Sequence, residues 1–324
     1  MTGGTLRVGI IGAGMIARTH AAGWQEQGAS ITVWSRSGSI EFAREFGLDV
    51  AGSLDQLLAT SDIVDVCSPT STHPEYVRAA VDAGVPVVCE KPLALTVAEA
   101  EALVDYVAAS GVNVYPAHVV RWFPEYAAAR ERILDGSLGD IAVARFVRSG
   151  EYPSWGGWFG DDAVSGGIIQ DQMIHDLDIA RWMLGEVVTA HAVTRKAKTA
   201  AARSAHVLLT HESGAISSVT GVWGAPGVSF ATRFSVAGSG GTLSHDSRDR
   251  GTFLLDAGST QRASAALPSA PGADPYALEL ADFARAVRGG PPPRVTLHDG
   301  LAAVRIARAA IESLASDAPV MVAR

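Results

Sequence analysis

A lysine stands where an apolar run stops: Val85-Pro86-Val87-Val88-Cys89 delivers Glu90-Lys91-Pro92. An ammonium at the end of a buried strand can polarise an oxygen or share in proton transfer, and the proline behind Lys91 biases it towards extended backbone. A second reactive set lies in Gly166-Gly167-Ile168-Ile169-Gln170-Asp171-Gln172-Met173-Ile174-His175-Asp176-Leu177-Asp178. If this stretch is helical from about Asp171, then Asp171, His175 and Asp178 fall at i, i+4 and i+7, on one face. Two carboxylates and an imidazole there form a proton-handling surface. A solvated helix face satisfies the same spacing, and a metal site would need a further ligand cluster that the sequence does not supply. The proton-handling reading draws its weight from Lys91 and from a nucleotide pattern upstream.

That pattern begins at Leu6-Arg7-Val8-Gly9-Ile10-Ile11, a strand running straight into Gly12-Ala13-Gly14-Met15-Ile16-Ala17 and a helix over 15–27. Gly12 permits the sharp turn, Gly14 leaves room for a pyrophosphate, and Ala17 lets helix and strand pack closely. Free N–H groups at the helix start, around Met15 and Ile16, face the anion. The next strand, Ser30-Ile31-Thr32-Val33-Trp34, ends at Ser35-Arg36-Ser37, where an NAD-selective site would place an acid for the ribose 2′-hydroxyl. A hydroxyl and a guanidinium suit a 2′-phosphate instead, so NADP is favoured. NAD stays open, because Arg36 could equally stack on adenine. Ile63-Val64-Asp65-Val66-Cys67 leads to Ser68-Pro69-Thr70-Ser71-Thr72-His73-Pro74. Pro74 fits the first turn of a helix, which puts Ser68, Thr70 and His73 at the strand's C-terminal edge. There His73 either reaches a dinucleotide or caps the helix. Glu90 and Lys91 complete this rim of cofactor contacts.

Strands and helices must alternate to bring these groups to one edge. Helices over 40–46 and 53–59, a Thr96-Val97-Ala98-Glu99 capping box opening a helix to Ser110, and a strand over 112–115 predict a doubly wound parallel sheet, a Rossmann domain, over 1–120. After His118-Val119-Val120-Arg121-Trp122 the pattern changes. A helix over 124–134 precedes strands at 141–147, 187–194, 205–209, 215–222, 230–237 and 241–244, interrupted by one helix over 173–184. This predicts an α+β domain over 121–324 with an open, mostly antiparallel sheet. Residues 256–275, rich in Ala, Ser, Gly and Pro, read as a loose surface loop, and helices over 275–288 and 297–315 close the chain. Arg121, and Trp158 in the loop Trp155-Gly156-Gly157-Trp158-Phe159, are candidate substrate contacts beside Asp171 and His175. A flat ring there could cover the apolar face of a sugar, and ordinary packing would explain it as well.

Bulk properties narrow the class. A chain of 324 residues exceeds what one core usually serves, and 48% hydrophobic with 19% charged content suits a well-buried protein. A net charge of −8 argues against nucleic acid or an anionic membrane as partner. Apolar runs are strand-sized, and residues 1–5 are too short and polar for a signal peptide, so a cytoplasmic location without membrane spans is expected. Cys67 and Cys89 sit inside strands and read as reduced packing residues.

Taken together, Gly12-Ala13-Gly14-Met15-Ile16-Ala17, Ser68-Pro69-Thr70 with His73, Glu90-Lys91-Pro92, Gly166-Gly167 through Asp171, His175 and Asp178, and the closing pattern of Tyr276, Phe283, Asp299-Gly300 and Ala309-Ala310 resemble the Gfo/Idh/MocA family over nearly the whole chain. The resemblance implies an N-terminal Rossmann domain and a C-terminal domain whose open sheet mediates homodimers or homotetramers. It also implies a last helix packed back on the first domain. By resemblance, Lys91, Asp171 and His175 match the catalytic lysine and the Asp-x-x-x-His pair. Met173 departs from the glycine often found there, as in inositol dehydrogenase-like members, and Ser35-Arg36 resembles NADP-using ones. The implied activity is hydride transfer between a nicotinamide cofactor and a secondary alcohol or ketone of a sugar or cyclitol. A redox-neutral glycosidase or a nucleotide-sensing regulator are the other readings.

Overall fold

Short apolar strands separated by helices can bury both sheet faces only if the helices cover them, and the first part of the chain does this. β1 (Arg7–Ile11), α1 (Met15–Glu26), β2 (Ser30–Trp34), α2 (Ser39–Phe46), β3 (Asp49–Val50), α3 (Leu54–Thr60), β4 (Ile63–Val66), α4 (His73–Asp82), β5 (Val87–Glu90), α5 (Val97–Ser110) and β6 (Val114–Ala117) follow one another. In this computed structural model the described residues are 4–154, 159, 161–196, 203–249, 252–257, 263–268 and 274–324. The six strands pair in parallel in the order β3-β2-β1-β4-β5-β6. Strand order reverses between β1 and β4, so the loops after these two strands flank the crevice where such sheets take ligands. Both halves of the Thr96–Glu99 capping box form, and Gly111 ends α5 in the left-handed conformation.

The remaining elements are α6 (Pro124–Leu134), β7 (Ile141–Glu151), α7 (Asp162–Ser165), α8 (Gly167–Asp171), α9 (Ile174–Leu184), β8 (Val187–Lys196), β9 (Arg203–His211), β10 (Ile216–Gly224), β11 (Ala231–Gly238), β12 (Gly241–Asp246), β13 (Thr252–Ala257), β14 (Ala263–Pro268), α10 (Pro275–Val287), α11 (Leu297–Ser316) and β15 (Val320–Met321). Nine strands form one sheet in the order β14-β13-β12-β11-β7-β10-β9-β8-β15. Only β7 and β10 run parallel; every other neighbouring pair is antiparallel. Along β10 buried and open positions alternate, as a sheet with one covered face requires.

Two compact units result, Met1–Trp122 with Ala273–Leu301, and Phe123–Gly272 with Ala302–Arg324. A single cut near residue 120 therefore misses a return of the chain. The segment that rejoins the first unit is α10, together with the opening of α11, and not the whole last helix. Its place follows from packing: Leu280 and Phe283 are buried with Trp24 and Tyr115, and the Phe283 ring stacks on Tyr115 at 5.3 Å. Gly23 on α1 eases this approach, since a Cβ would meet the tip of the Leu280 side chain at 2.9 Å.

Two expectations are corrected. Residues 263–268 are not loose loop: they form β14, paired with β13 in the register Phe253↔Leu267. Its small residues hide the strand from composition, because pairing is by backbone. The helix expected from Asp171 onward is two helices, α8 and α9, with a turn at Gln172–Met173. Among the described residues no helix is long and apolar enough to cross a membrane.

Candidate active site

The parallel sheet brings four predicted groups to one edge. Gly12 to Ile16 follow β1, Ser35 and Arg36 follow β2, Ser68 and Thr70 follow β4, and Glu90-Lys91 close β5. Strand order alone makes them neighbours at the C-terminal rim. Gly12 has φ +121°, and its N–H donates to Trp34 O at 2.9 Å. A Cβ at Gly12 would lie 2.7 Å from Cys67 O, so this glycine serves the fold itself.

Gly14 is different. Its backbone (φ −84°, ψ −169°) is one any residue adopts, and a Cβ would meet nothing within 4 Å. The empty space over Gly14 sits at the N-terminus of α1, whose first turn carries no acidic side chain. This is the cradle an anionic dinucleotide needs, and a methyl group would fill it. Gly14→Ala is expected to leave the melting temperature unchanged while weakening nucleotide binding by about 10-fold or more. Gly12→Ala should lower the melting temperature instead. Thermal melts and nucleotide titration of the two variants separate these outcomes.

Around Ser35, Ser39 Oγ accepts the Ser35 N–H at 2.9 Å and contacts Ser35 Oγ at 2.9 Å. Arg36 pairs with Glu75 at 3.0 Å and lies over the Tyr76 ring at 5.6 Å, with its side chain 63% exposed. So exposed a pair is worth little, and the guanidinium can exchange Glu75 for a phosphate at small cost.

His73 has another place than either expected one. Its ring is buried, with Nδ1 2.7 Å from Pro92 O and Nε2 2.8 Å from Ser68 O. Burial holds its pKa below the ordinary histidine value. It is an inner strut tying the loop after β4 to the corner after β5, where the Lys91–Pro92 peptide is cis. Ser68 Oγ contacts Thr72 Oγ1 at 2.7 Å, and Thr70 is buried. Arg121 is also an internal clamp rather than an open contact. It is 1% exposed, pairs with Asp299 at 3.2 Å, and donates to Arg294 O at 3.0 Å, while Arg294 donates back to Arg121 O at 3.0 Å.

In the second unit, Asp171 ends α8 and His175 lies in the first turn of α9, both half-buried. The turn between them exists because buried Met173 packs over Gly221 of β10, where a Cβ would stand 2.4 Å from Met173 Cγ. Asp178 does not share an open face with them: it is 1% exposed. Asp176, next to His175, anchors α9 to β7. Its carboxylate accepts two hydrogen bonds from Arg148, at 2.7 and 3.0 Å, with both side chains buried. Trp158 lies outside the described residues. A hollow of about 390 Å³ in this unit, lined by Phe123, Glu125, Phe230 and His245 among others, contains none of the predicted residues.

Sequence reading missed His20 and Asp65. Asp65 stands in the middle of buried β4, and its Oδ2 accepts from His20 Nδ1 at 2.9 Å and Trp24 Nε1 at 2.7 Å. The signal was present: a charge inside an apolar strand must be paired, and His20 and Trp24 are one helical turn apart on α1.

Residues 6–118 match the family description "Oxidoreductase family, NAD-binding Rossmann fold", and residues 126–244 match the Gfo/Idh/MocA C-terminal domain. The inositol 2-dehydrogenase of Rhizobium meliloti is 27% identical over 337 residues, covering 98% of this chain and 100% of that protein. The myo-inositol 2-dehydrogenase of Thermotoga maritima is 29% identical, covering 95% and 96%. A D-apiose dehydrogenase of Paraburkholderia graminis is 32% identical over 65% of this chain, a match that spans 58% of that protein. Among solved structures, levoglucosan dehydrogenase in complex with NADH and levoglucosan superposes with a TM-score of 0.88 at 22% identity, over 99% of this chain and 100% of that one. Two descriptions of one family thus follow each other along the chain, over 6–118 and 126–244, and the chain belongs to the Gfo/Idh/MocA family.

Proposed function

We propose that the protein interconverts a secondary alcohol and a ketone on a sugar, sugar derivative or cyclitol with a nicotinamide dinucleotide. The observation that carries this reading is the lining-up of the Gly12–Gly14 turn, Ser35-Arg36, Ser68 and Lys91 on one rim of a parallel sheet. The relatives named for inositol, apiose and levoglucosan support the substrate class. The nicotinamide, when bound, supplies the hydride chemistry. The chain supplies position and proton handling. The ammonium of Lys91 donates to the reacting oxygen and lowers the cost of charge developing there. His175 accepts the hydroxyl proton as general base, and Asp171 orients the imidazole or binds a neighbouring hydroxyl. Ser35 and Arg36 favour NADP over NAD, because no acid follows β2 and a guanidinium is at hand for a 2′-phosphate.

The test is nicotinamide absorbance with NADP⁺ and NAD⁺ against inositols, aldoses and their derivatives. Growth of reduced cofactor with one polyol, lost in His175→Ala, is expected. Arg36→Ala should raise the KM for NADP⁺ about 10-fold and leave that for NAD⁺ within about 2-fold. Equal effects on both nucleotides would remove the NADP assignment. Retained nucleotide with no net reduction on any polyol would favour the redox-neutral reading.

A further inference from the structure

His20 is fully buried, and each of its ring nitrogens faces a carboxylate. Nδ1 donates to Asp65 Oδ2 at 2.9 Å, while Nε2 lies 3.0 Å from Glu90 Oε1, an ion-pair contact off the hydrogen-bond axis. A neutral imidazole carries one N–H and cannot serve two carboxylates; an imidazolium can. Burial opposes that charge, yet the Asp65 carboxylate beside it holds the His20 pKa well above the ordinary value. The second oxygen of Glu90 accepts the Lys91 backbone N–H at 2.9 Å. A continuous line of contacts thus runs from Asp65 on β4 through His20 on α1 to Glu90 and Lys91 at the end of β5.

The other groups around the ring do not compete for this role. From α10, the Tyr276 ring lies 6.0 Å away, and Glu279 is fully buried with no protein donor to either oxygen among the described residues. Burial pushes the Glu279 carboxyl well above its ordinary range. His20, Asp65 and Cys67 place ligand atoms within 4.8 Å of one another, as a metal centre would. Here, however, Asp65 Oδ2 already takes two N–H donors and Oδ1 accepts the Cys67 thiol at 3.4 Å. Burial pushes that thiol up, away from the thiolate that a metal binds.

We propose that His20 is a positioning residue for Lys91: held between Asp65 and Glu90, it fixes the carboxylate that holds the Lys91 backbone. The proposal rests on the reading of Lys91 as the group that meets the reacting oxygen. Its test is therefore split into one arm that needs turnover and one that does not.

In His20→Gln, amide hydrogen exchange read residue by residue should be about 10-fold faster at Lys91, with Val87 and Val88 of β5 unchanged. Turnover should fall about 10- to 100-fold, with the KM for nucleotide within about 2-fold, as for a reacting group displaced but not removed. Glu90→Gln should speed Lys91 exchange about 5-fold, since a neutral acceptor replaces a charged one, and it serves if His20→Gln does not fold. The double variant should cost no more than the worse single change. Unchanged Lys91 exchange in folded His20→Gln, exchange rising equally along β5, or additive effects would each overturn the proposal. A wild-type protein silent towards every polyol would instead tell against the proposed function, and the exchange arm would still decide on His20.

Discussion

Lys91→Met is expected to lower turnover by about 10³-fold or more, while the dissociation constant of the nucleotide stays within about 3-fold. Methionine keeps the length and apolar stem of the side chain and removes only the charged donor. The backbone contacts that shape the corner do not depend on the ammonium: Lys91 N–H to Glu90 Oε2 and His73 to Pro92 O both survive the change. Binding and chemistry should therefore separate cleanly. Fluorescence titration of the nucleotide beside steady-state rates checks this. Comparable losses in both would make Lys91 a structural lysine, and the proposed mechanism would fall with it.

The second large effect is on stability. Arg148→Met leaves the Asp176 carboxylate, itself fully buried, without the guanidinium that now gives it two hydrogen bonds. Breaking such a pair from one side costs about 3–5 kcal/mol, since the remaining charge stays desolvated. For a unit of this size that is a fall in melting temperature of about 10 °C. The double variant Arg148→Met/Asp176→Leu should recover most of it, because the penalty lies in the orphaned charge and not in the lost attraction. Calorimetry of the single and double variants tests this. If the double variant melts as low as the single one, the pair holds α9 by geometry that apolar packing cannot replace.

Much of the first unit could be read from residues alone, because its signals are local. A glycine turn after an apolar strand, a proline opening α4 and a Thr–Glu box opening α5 each act within a few residues, and each element formed where expected. Signals fail where a distant contact decides. Nothing in Asp171-Gln172-Met173 breaks a helix by itself, and the break between α8 and α9 follows from Met173 settling over Gly221, on a strand far along the chain. Arg121 and His73 have residue types that suit a ligand, and only the folded chain shows Asp299, Arg294, Ser68 and Pro92 already around them. β14 escaped because Ala263-Ser264-Ala265-Ala266 offers no apolar alternation, while pairing to β13 needs none. Asp65 is the exception, since a charge inside an apolar strand calls for partners, and His20 and Trp24 stand one helical turn apart to supply them.

The lone parallel pair in the nine-stranded sheet dictates an order of assembly. β7 is made first, yet its partners are β10 and β11: Phe146 pairs with both Val219 and Phe234. As the chain leaves the ribosome, β7 has no neighbour to join until β10 exists, and its other edge stays open until β11 follows. β8–β9–β10 and β11–β12, by contrast, can zip up as local antiparallel ribbons. Long-range closure is slow, and a strand waiting with both edges bare is a site for wrong pairing between chains. The middle of this sheet thus waits on more distant partners than the ribbons on either side of it, and its open edges are exposed for longer during synthesis.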